Sequence, residues 1–344
     1  METGPFEVQA RQFARAQRMK EVAQSELAEW ERVTIQQETA PDLGQALISY
    51  ADLASLDLPQ RKGHLPWLAE GCNVMVFGPR GIGKSMLQLG LAASLTTGTS
   101  FLKWRVQERV DVLYVDGEMQ LDELRRRITD LSPEPPKGLH FIPSEWVYHR
   151  LHRDLILTGA PMRDSLLQVL EGRPDIRVLI LDNISCLFSG IDENSKKDWE
   201  PINTWLIRLR HRGIATVLVH HGGKGGQQRG TSGREDSLDT VIQLDRPADY
   251  DPREGCHFEL KFTKCRSVKG EEVGPIDVKL EDQGGRLTWT WKPLEQSKED
   301  QVRALLNDGI DNPSDIAEAL GINRSYAWKL KKRIENAKKM KDDA

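Results

Sequence analysis

The chain holds four cysteines, Cys72, Cys186, Cys256 and Cys265, and no two of them form a C-x-x-C pair. That argues against a disulfide framework or a zinc site and fits a reducing compartment, the cytoplasm. No apolar run approaches the ~20 residues that a membrane span needs. The polar start, "METGPFEVQARQ", lacks the apolar stretch of a secretory leader, so no membrane partner is expected. Nor does charge of one sign dominate: the net charge is −4, which excludes a chain that binds polyanions by bulk charge. Any such contact has to come from local basic clusters.

What is present is a globular composition, 38% hydrophobic and 29% charged, in 344 residues. That length holds one large domain and something smaller. Phe13, Ala16, Met19, Ala23, Leu27 and Trp30 recur at helical spacing and predict a helix over 9–36. It packs either on its own domain or on a neighbouring subunit. Pro41, Pro59 and Pro66 mark an irregular spacer.

From Cys72 onward, apolar runs alternate with amphipathic ones. "CNVMVFG", "RVDVLYVDGE", "LHFIPS", "IRVLILDNISCLF" and "IATVLVHH" read as strands; the segments between them, "DSLLQVLEG" and "WEPINTWLIRLRHRG" among them, read as helices. Continuous Val, Ile and Leu in the strands predicts an α/β fold with a mostly parallel sheet covered on both faces. After His221, "DTVIQL", "CHFELKFTK", "PIDVKLE" and "GRLTWTW" follow without helices, predicting further, partly antiparallel strands to about Pro293. The expected division is an N-terminal helix and linker over 1–44, a core over 45–293 and a small helical unit over 297–344. "EQSKEDQ" reads as a polar linker before that unit.

"GPRGIGKS" satisfies G-x-x-x-x-G-K-[ST] between a strand and a helix. Its glycines let backbone N–H groups curl inward around phosphates. Gly78, Pro79, Arg80, Gly81, Ile82, Gly83, Lys84, Ser85 and Met86 are therefore the expected nucleotide cradle, and ATP with Mg²⁺ the expected cofactors. Lys84 would reach the β- and γ-phosphates, and Ser85 would place its hydroxyl on Mg²⁺. Asp182, ending the apolar strand "VLILD", is the expected second anchor for the metal. "VLYVDGEM" offers Asp116 and Glu118 as base for the attacking water; alternatively these acids cap the following helix.

A glutamate on the strand after the P-loop helix, with Asn183 rather than Glu beside Asp182, resembles the RecA-type ATPases. The closer resemblance, over about 45–290, is to the RepA-like hexameric replicative helicases, relatives of the DnaB group. "DLPQRKGHLPWL", "GPRGIGKS", "VLYVDGEM", "LILDNISCLF", "VLVHHGGK" and "RGTS" stand in that family's order. The resemblance implies a RecA-like P-loop core and favours Glu118 as the catalytic base. It implies that His221, with His220 its alternative, senses the γ-phosphate. Lys264 and Arg266 resemble a K-x-R pair that reaches a neighbouring subunit's site; by themselves they would be a solvated edge-strand pair.

Two loops would line a channel for single-stranded DNA, "SGIDENSKKDWE" with Lys196 and Lys197, and "GGKGGQQRGTSGRED" with Lys224, Arg229 and Arg234. The C-terminal segment reads as three helices, the last from Arg324 to Asn336, and resembles a helix-turn-helix of the winged type, in which Arg324, Lys329 and Lys332 would meet duplex DNA. The alternative is a small helical cap that docks another protein. The implied protein is an ATP-hydrolysing DNA helicase, a homo-oligomeric, hexameric ring in the replication of a plasmid, phage or mobile element, with a primase or initiator as a further partner. A recombinase or annealing ATPase and an ATP-switched DNA-binding regulator are the alternatives.

Overall fold

A computed structural model describes residues 41–58, 60–132, 134–192, 195–222, 237–247 and 250–342. The helix expected over 9–36, and Lys224, Arg229 and Arg234, lie outside the described residues. The chain divides into two units, Met1–Gln60 and Arg61–Ala344. In the first, Asp42 opens a short turn, its carboxylate accepting from Gly44 N at 2.9 Å. Ser49 caps helix α1 (Tyr50–Ser55), its hydroxyl accepting from Asp52 N at 3.1 Å.

The second unit begins with a small hairpin, β1 (Gly63–Leu65) and β2 (Leu68–Ala69). A central sheet follows, built from β3 (Asn73–Gly78), β4 (Asp111–Asp116), β5 (Leu139–Pro143), β6 (Ile176–Asp182), β7 (Ala215–His221), β8 (Thr240–Asp245), β9 (His257–Cys265), β10 (Ile276–Asp282) and β11 (Leu287–Pro293). Its order is β11-β10-β9-β8-β3-β7-β6-β4-β5. The strands from β8 through β5 are parallel, and β8 to β11 pair antiparallel. This is the expected α/β fold with a mostly parallel sheet. Helices-free sequence after His221 is what allows the antiparallel half, since hairpins need no crossover.

The parallel strands are apolar on both faces because both are covered. Val74, Val76, Val112, Tyr114, Val178 and Ile180 pack toward α2 (Lys84–Thr97) and α3 (Leu121–Leu131). Their alternates, Met75, Phe77, Leu113, Val115, Leu179 and Leu181, join the cluster containing α5 (Ala160–Glu171) and α7 (Lys196–His211). The period of two along a strand sends successive residues to opposite faces. Trp67, Trp104 and Phe262 meet edge to face, with centroids 5.5–6.0 Å apart, and seal the hairpin end of the first cluster.

Two segments depart from the sequence-based expectation. "IRVLILDNISCLF" is not one strand: β6 ends at Asp182, and the Asn183 side chain accepts from Cys186 N at 3.0 Å, turning the chain into the single helical turn α6 (Ile184–Leu187). An asparagine at that position competes with the sheet ladder for backbone donors. "EQSKEDQ" is not a linker but part of α8 (Leu294–Asn307), which starts where β11 ends. Lys298 is buried there, 3.3 Å from Glu259 of β9, whose other oxygen lies 2.7 Å from Lys261.

The C-terminal helices form as expected. α9 (Pro313–Ala319) and α10 (Arg324–Asp342) close a small core with α8 through Val302, Ile316, Leu320, Ala327, Leu330 and Ile334. Asn323 opens α10 by accepting from Tyr326 N at 2.7 Å. Among the described residues no helix is long and apolar enough to cross a membrane.

Candidate nucleotide site

The parallel strands all end at one edge of the sheet, and the residues expected to bind nucleotide gather there. β3 runs into the loop Gly78–Gly83, and α2 starts at Lys84. Gly83 has φ +108°, a conformation costly for any residue with a Cβ, and a Cβ there would meet the Cys256 sulfur at 2.8 Å. Gly78 is as tightly placed: its Cβ would lie 2.6 Å from the Leu244 carbonyl. No side chain caps α2. Its first N–H groups are therefore available to an anion, and the helix dipole favours negative charge at that end.

Lys84 is buried at the mouth of this loop and donates to the carbonyls of Gly78 (2.9 Å) and Pro79 (2.8 Å). An ammonium has three donors, so one remains for the cavity. Burial lowers its pKa to about 8, against the pull of Asp182 and Glu118. Asp182 is buried at the tip of β6, hydrogen-bonded by Ser85 and, at 2.5 Å, by the Tyr114 hydroxyl. Burial nevertheless raises its pKa. Its register partner Asp116, at the tip of β4, is raised to about 7 by burial and by Asp182. Two buried carboxyls whose pKa values are raised, beside a serine hydroxyl, make an all-oxygen donor set that fits a hard divalent cation. Ser85 and Asp182 are the residues that would hold Mg²⁺, with substrate phosphate oxygens completing the shell as Mg²⁺ sites commonly require.

β7 lies between β3 and β6, so the strand bearing Asp182 is not the immediate neighbour of the P-loop strand. The intervening strand delivers its own terminal residue instead. His221 is the register partner of Gly78, and its Nε2 stands 3.9 Å from the Glu118 carboxylate. His220 points the other way and is buried. Of the two histidines, His221 is the one that borders the cavity. Glu118 also borders it, with 60% of its side chain exposed, and accepts a hydrogen bond from the Asn183 amide. Asp116 lines the cavity as well, but it is buried and accepts from Met119 N at 2.9 Å.

The cavity, of about 530 Å³, continues past the phosphate loop to residues the sequence did not single out: Met119, Arg126, Arg127 and Asp130 from the α3 side, and Cys256, Leu280 and Leu287 from the antiparallel half. Glu123 grips both arginines, its oxygens 2.6 Å from Arg127 and 2.8 Å from Arg126, and they hold its carboxyl down at about 2. The i, i+3 and i, i+4 spacing of Glu123 to these arginines was the available signal. The far wall had none, because it comes from strands more than 150 residues away in sequence. Arg246, at the end of β8, also joins the loop, donating to the Gly81 carbonyl at 3.0 Å and lying 4.0 Å over the Tyr250 ring.

Lys264 and Arg266 are not brought to this cavity. β9 runs antiparallel to β8, so its C-terminal end lies at the amino ends of the parallel strands. Arg266 N donates to the Asp239 carbonyl at 3.0 Å, and its guanidinium lies 3.8 Å from the Asp239 carboxylate, beside Asn73 at the start of β3. That is about 20 Å, the length of a six-residue strand, from the phosphate loop. Lys196 and Lys197 are exposed, but in the first turn of α7, which Ser195 caps, rather than in a loop. On α10, Lys331 and Arg333 are tied to acids, Arg333 lying 2.6 Å from both Glu295 and Glu299. Arg324, Lys329 and Lys332 face outward with exposed Trp328, and the Lys332 ammonium lies 4.8 Å over the Trp328 ring.

A family model described as an AAA domain matches residues 45–227. Among solved structures, a KaiC-like protein from the hyperthermophilic archaeon Pyrococcus horikoshii is 15% identical, with a TM-score of 0.48 over 68% of this chain and 99% of that one. No curated protein matches the chain.

Proposed function

The chain belongs to the AAA domain family and has the fold of a RecA-like P-loop ATPase, and from that premise we propose that it is a ring-forming helicase that translocates on single-stranded DNA. The observation that carries the reading is the placement of Glu118. It projects into the cavity that holds Lys84 and Ser85, steadied by Asn183 and close to His221. In that position its carboxylate orients and deprotonates a water for in-line attack on a γ-phosphate, while Lys84 and the α2 N-terminus take up the charge that develops. Ser85 and Asp182 would hold Mg²⁺, which would supply charge neutralisation at the phosphates.

His221 turns this chemistry into a signal. Its neighbour on one side is Glu118, and on the other its strand continues directly into the Gly-rich sequence "GGKGGQQRGTSGRED". An imidazole that bonds the γ-phosphate before hydrolysis and loses that bond afterwards displaces the segment it anchors. Lys and Arg in that segment suit a phosphate backbone without base readout. The ring is part of the reading through Arg266: it sits at the opposite sheet edge from its own cavity, a position from which it would serve the site of a second copy rather than its own.

The test is strand separation on a forked DNA with ATP and Mg²⁺, beside Lys84→Ala. Nucleotide-dependent release of one strand by the wild type alone supports the reading. DNA-stimulated ATP turnover without release would make the protein a filament-forming or annealing ATPase instead.

A further inference from the structure

Tyr114 carries the one polar side-chain atom in the stretch Val112–Val115 of β4, and the residue is fully buried. Its ring lies 5.7 Å from that of Phe141 on β5, the strand that leads into α4 (Ser144–Leu151). On the other side β6 runs parallel to β4, with Tyr114 in register with Ile180 and Asp116 with Asp182. Tyr114 and Ile180 face the same apolar cluster, and Asp182, two residues on from Ile180, shares that face. It stands about 6.6 Å further along the strand. Tyrosine is long enough to cover that offset, and the Tyr114 hydroxyl donates to Asp182 Oδ2 at 2.5 Å.

A phenylalanine would fill this place with no polar atom to satisfy. Burying a hydroxyl and a carboxylate together gains little stability over an apolar pair, because both groups give up water. What the pair provides is orientation. A carboxylate has two accepting oxygens. Tyr114 engages Oδ2, and the Ser85 hydroxyl reaches the same carboxylate from the first turn of α2. Asp182 is thus held between a ring fixed in the core and the phosphate loop. Tyr114 stands behind it and does not line the nucleotide cavity.

We propose that Tyr114 is a positioning residue for the divalent cation: its hydroxyl holds the Asp182 carboxylate in one orientation, so that metal binding does not have to order it. Groups that hydrogen-bond a metal ligand from behind govern metal affinity in this way. The inference rests on the reading of this site as one for ATP and Mg²⁺, and adds to it a residue that touches neither. In "VLYVDGEM" the tyrosine reads as one more apolar strand residue, and its chemistry emerges only when β6 is laid beside β4.

Affinity of the full chain for a fluorescent ATP analogue, measured across a Mg²⁺ series and again in EDTA, tests it. Tyr114→Phe removes one oxygen and keeps the ring. Its affinity in EDTA should equal that of the wild type, while the gain in affinity on adding Mg²⁺ should shrink by about 10-fold or more. The Mg²⁺ concentration that gives half-maximal ATP turnover should rise by a similar factor. In an Asp182→Asn background, Tyr114→Phe should change the Mg²⁺-dependent gain no further, because the hydroxyl acts through that carboxylate. A wild-type gain in Tyr114→Phe overturns the proposal, as does a further fall in the Asp182→Asn background. So does an equal loss of affinity in EDTA and in Mg²⁺, which would make the hydroxyl a structural contact only. A wild type whose nucleotide affinity ignores Mg²⁺ removes the metal reading of Ser85 and Asp182 too; a responsive wild type with an unaffected variant removes this inference alone.

Discussion

Asp116 and Asp182 are register partners at the tips of neighbouring strands, both buried, and only one of them has a hydroxyl beside it to serve a metal. Asp116 is buried and accepts from the Met119 amide, whereas Glu118, held by Asn183, is the more exposed of the two carboxyls. Glu118→Gln should keep nucleotide binding and lose turnover by at least 10²-fold, since an amide takes no proton. Asp116→Asn should cost less. Nucleotide affinity by fluorescence titration and turnover by phosphate release check both; the reverse ranking would move the base to Asp116.

Arg266→Ala should leave nucleotide binding intact and slow turnover by about 10³-fold, the scale of a lost arginine finger. Mixing these subunits with Lys84→Ala subunits should restore part of the activity, because some junctions then pair an intact loop with an intact arginine. No recovery at any mixing ratio, with subunit exchange verified, would mean that the site is not shared.

His257 is buried between Glu254 (2.6 Å) and Asp277 (2.8 Å). Burial alone would lower its pKa, but the two carboxylates outweigh it and raise it. A raised folded pKa stabilises the fold fully below the unfolded value near 6.5, and that contribution is lost as pH rises through the folded value. His257→Gln should therefore lose most stability relative to wild type at acid pH, with the gap narrowing toward alkaline pH. Urea unfolding of both proteins from about pH 5 to about pH 9 measures it; a gap that widens with pH would refute the assignment.

Lys298→Met should lower stability on the order of 1–3 kcal/mol, less than a lone buried pair because Lys261 still faces Glu259. Replacing Arg324, Lys329 and Lys332 by Gln should instead leave stability nearly unchanged and flatten the salt slope of duplex binding by up to about 2.7. Chemical unfolding and a duplex salt titration separate the two effects. Duplex binding equal to wild type in the triple variant would assign the C-terminal unit to protein docking.

The parts of the site that one short segment encodes were legible. The loop from Gly78 to Ser85 is marked by its spacing and Asp182 by its place at the end of an apolar strand; Asp116 and Glu118 stand together after β4, and the preference for Glu118 comes from the family resemblance. The antiparallel half was legible as strands but not as a direction, so nothing in "LKFTKCR" told that Arg266 ends at the far edge of the sheet. Lys298 was hidden because its neighbours are polar and its partner is 39 residues upstream. Asn183 was hidden by the apolar residues after it, which extend the strand pattern past the point where a side-chain hydrogen bond ends it. Local chemistry is written in the sequence; the partners that long-range pairing supplies are not.

β9 starts where Cys256 touches Gly83 of the phosphate loop and finishes beside Arg266. Nine residues of strand make a strut about 30 Å long. It is pinned laterally by β8 on one side and β10 on the other, with a single register shift near Phe262 and Thr263. In a ring where Arg266 enters the next subunit, that strut ties each phosphate loop to the finger of its own chain. A displacement of one loop would then have a direct covalent path, along a single strand, to the neighbouring site.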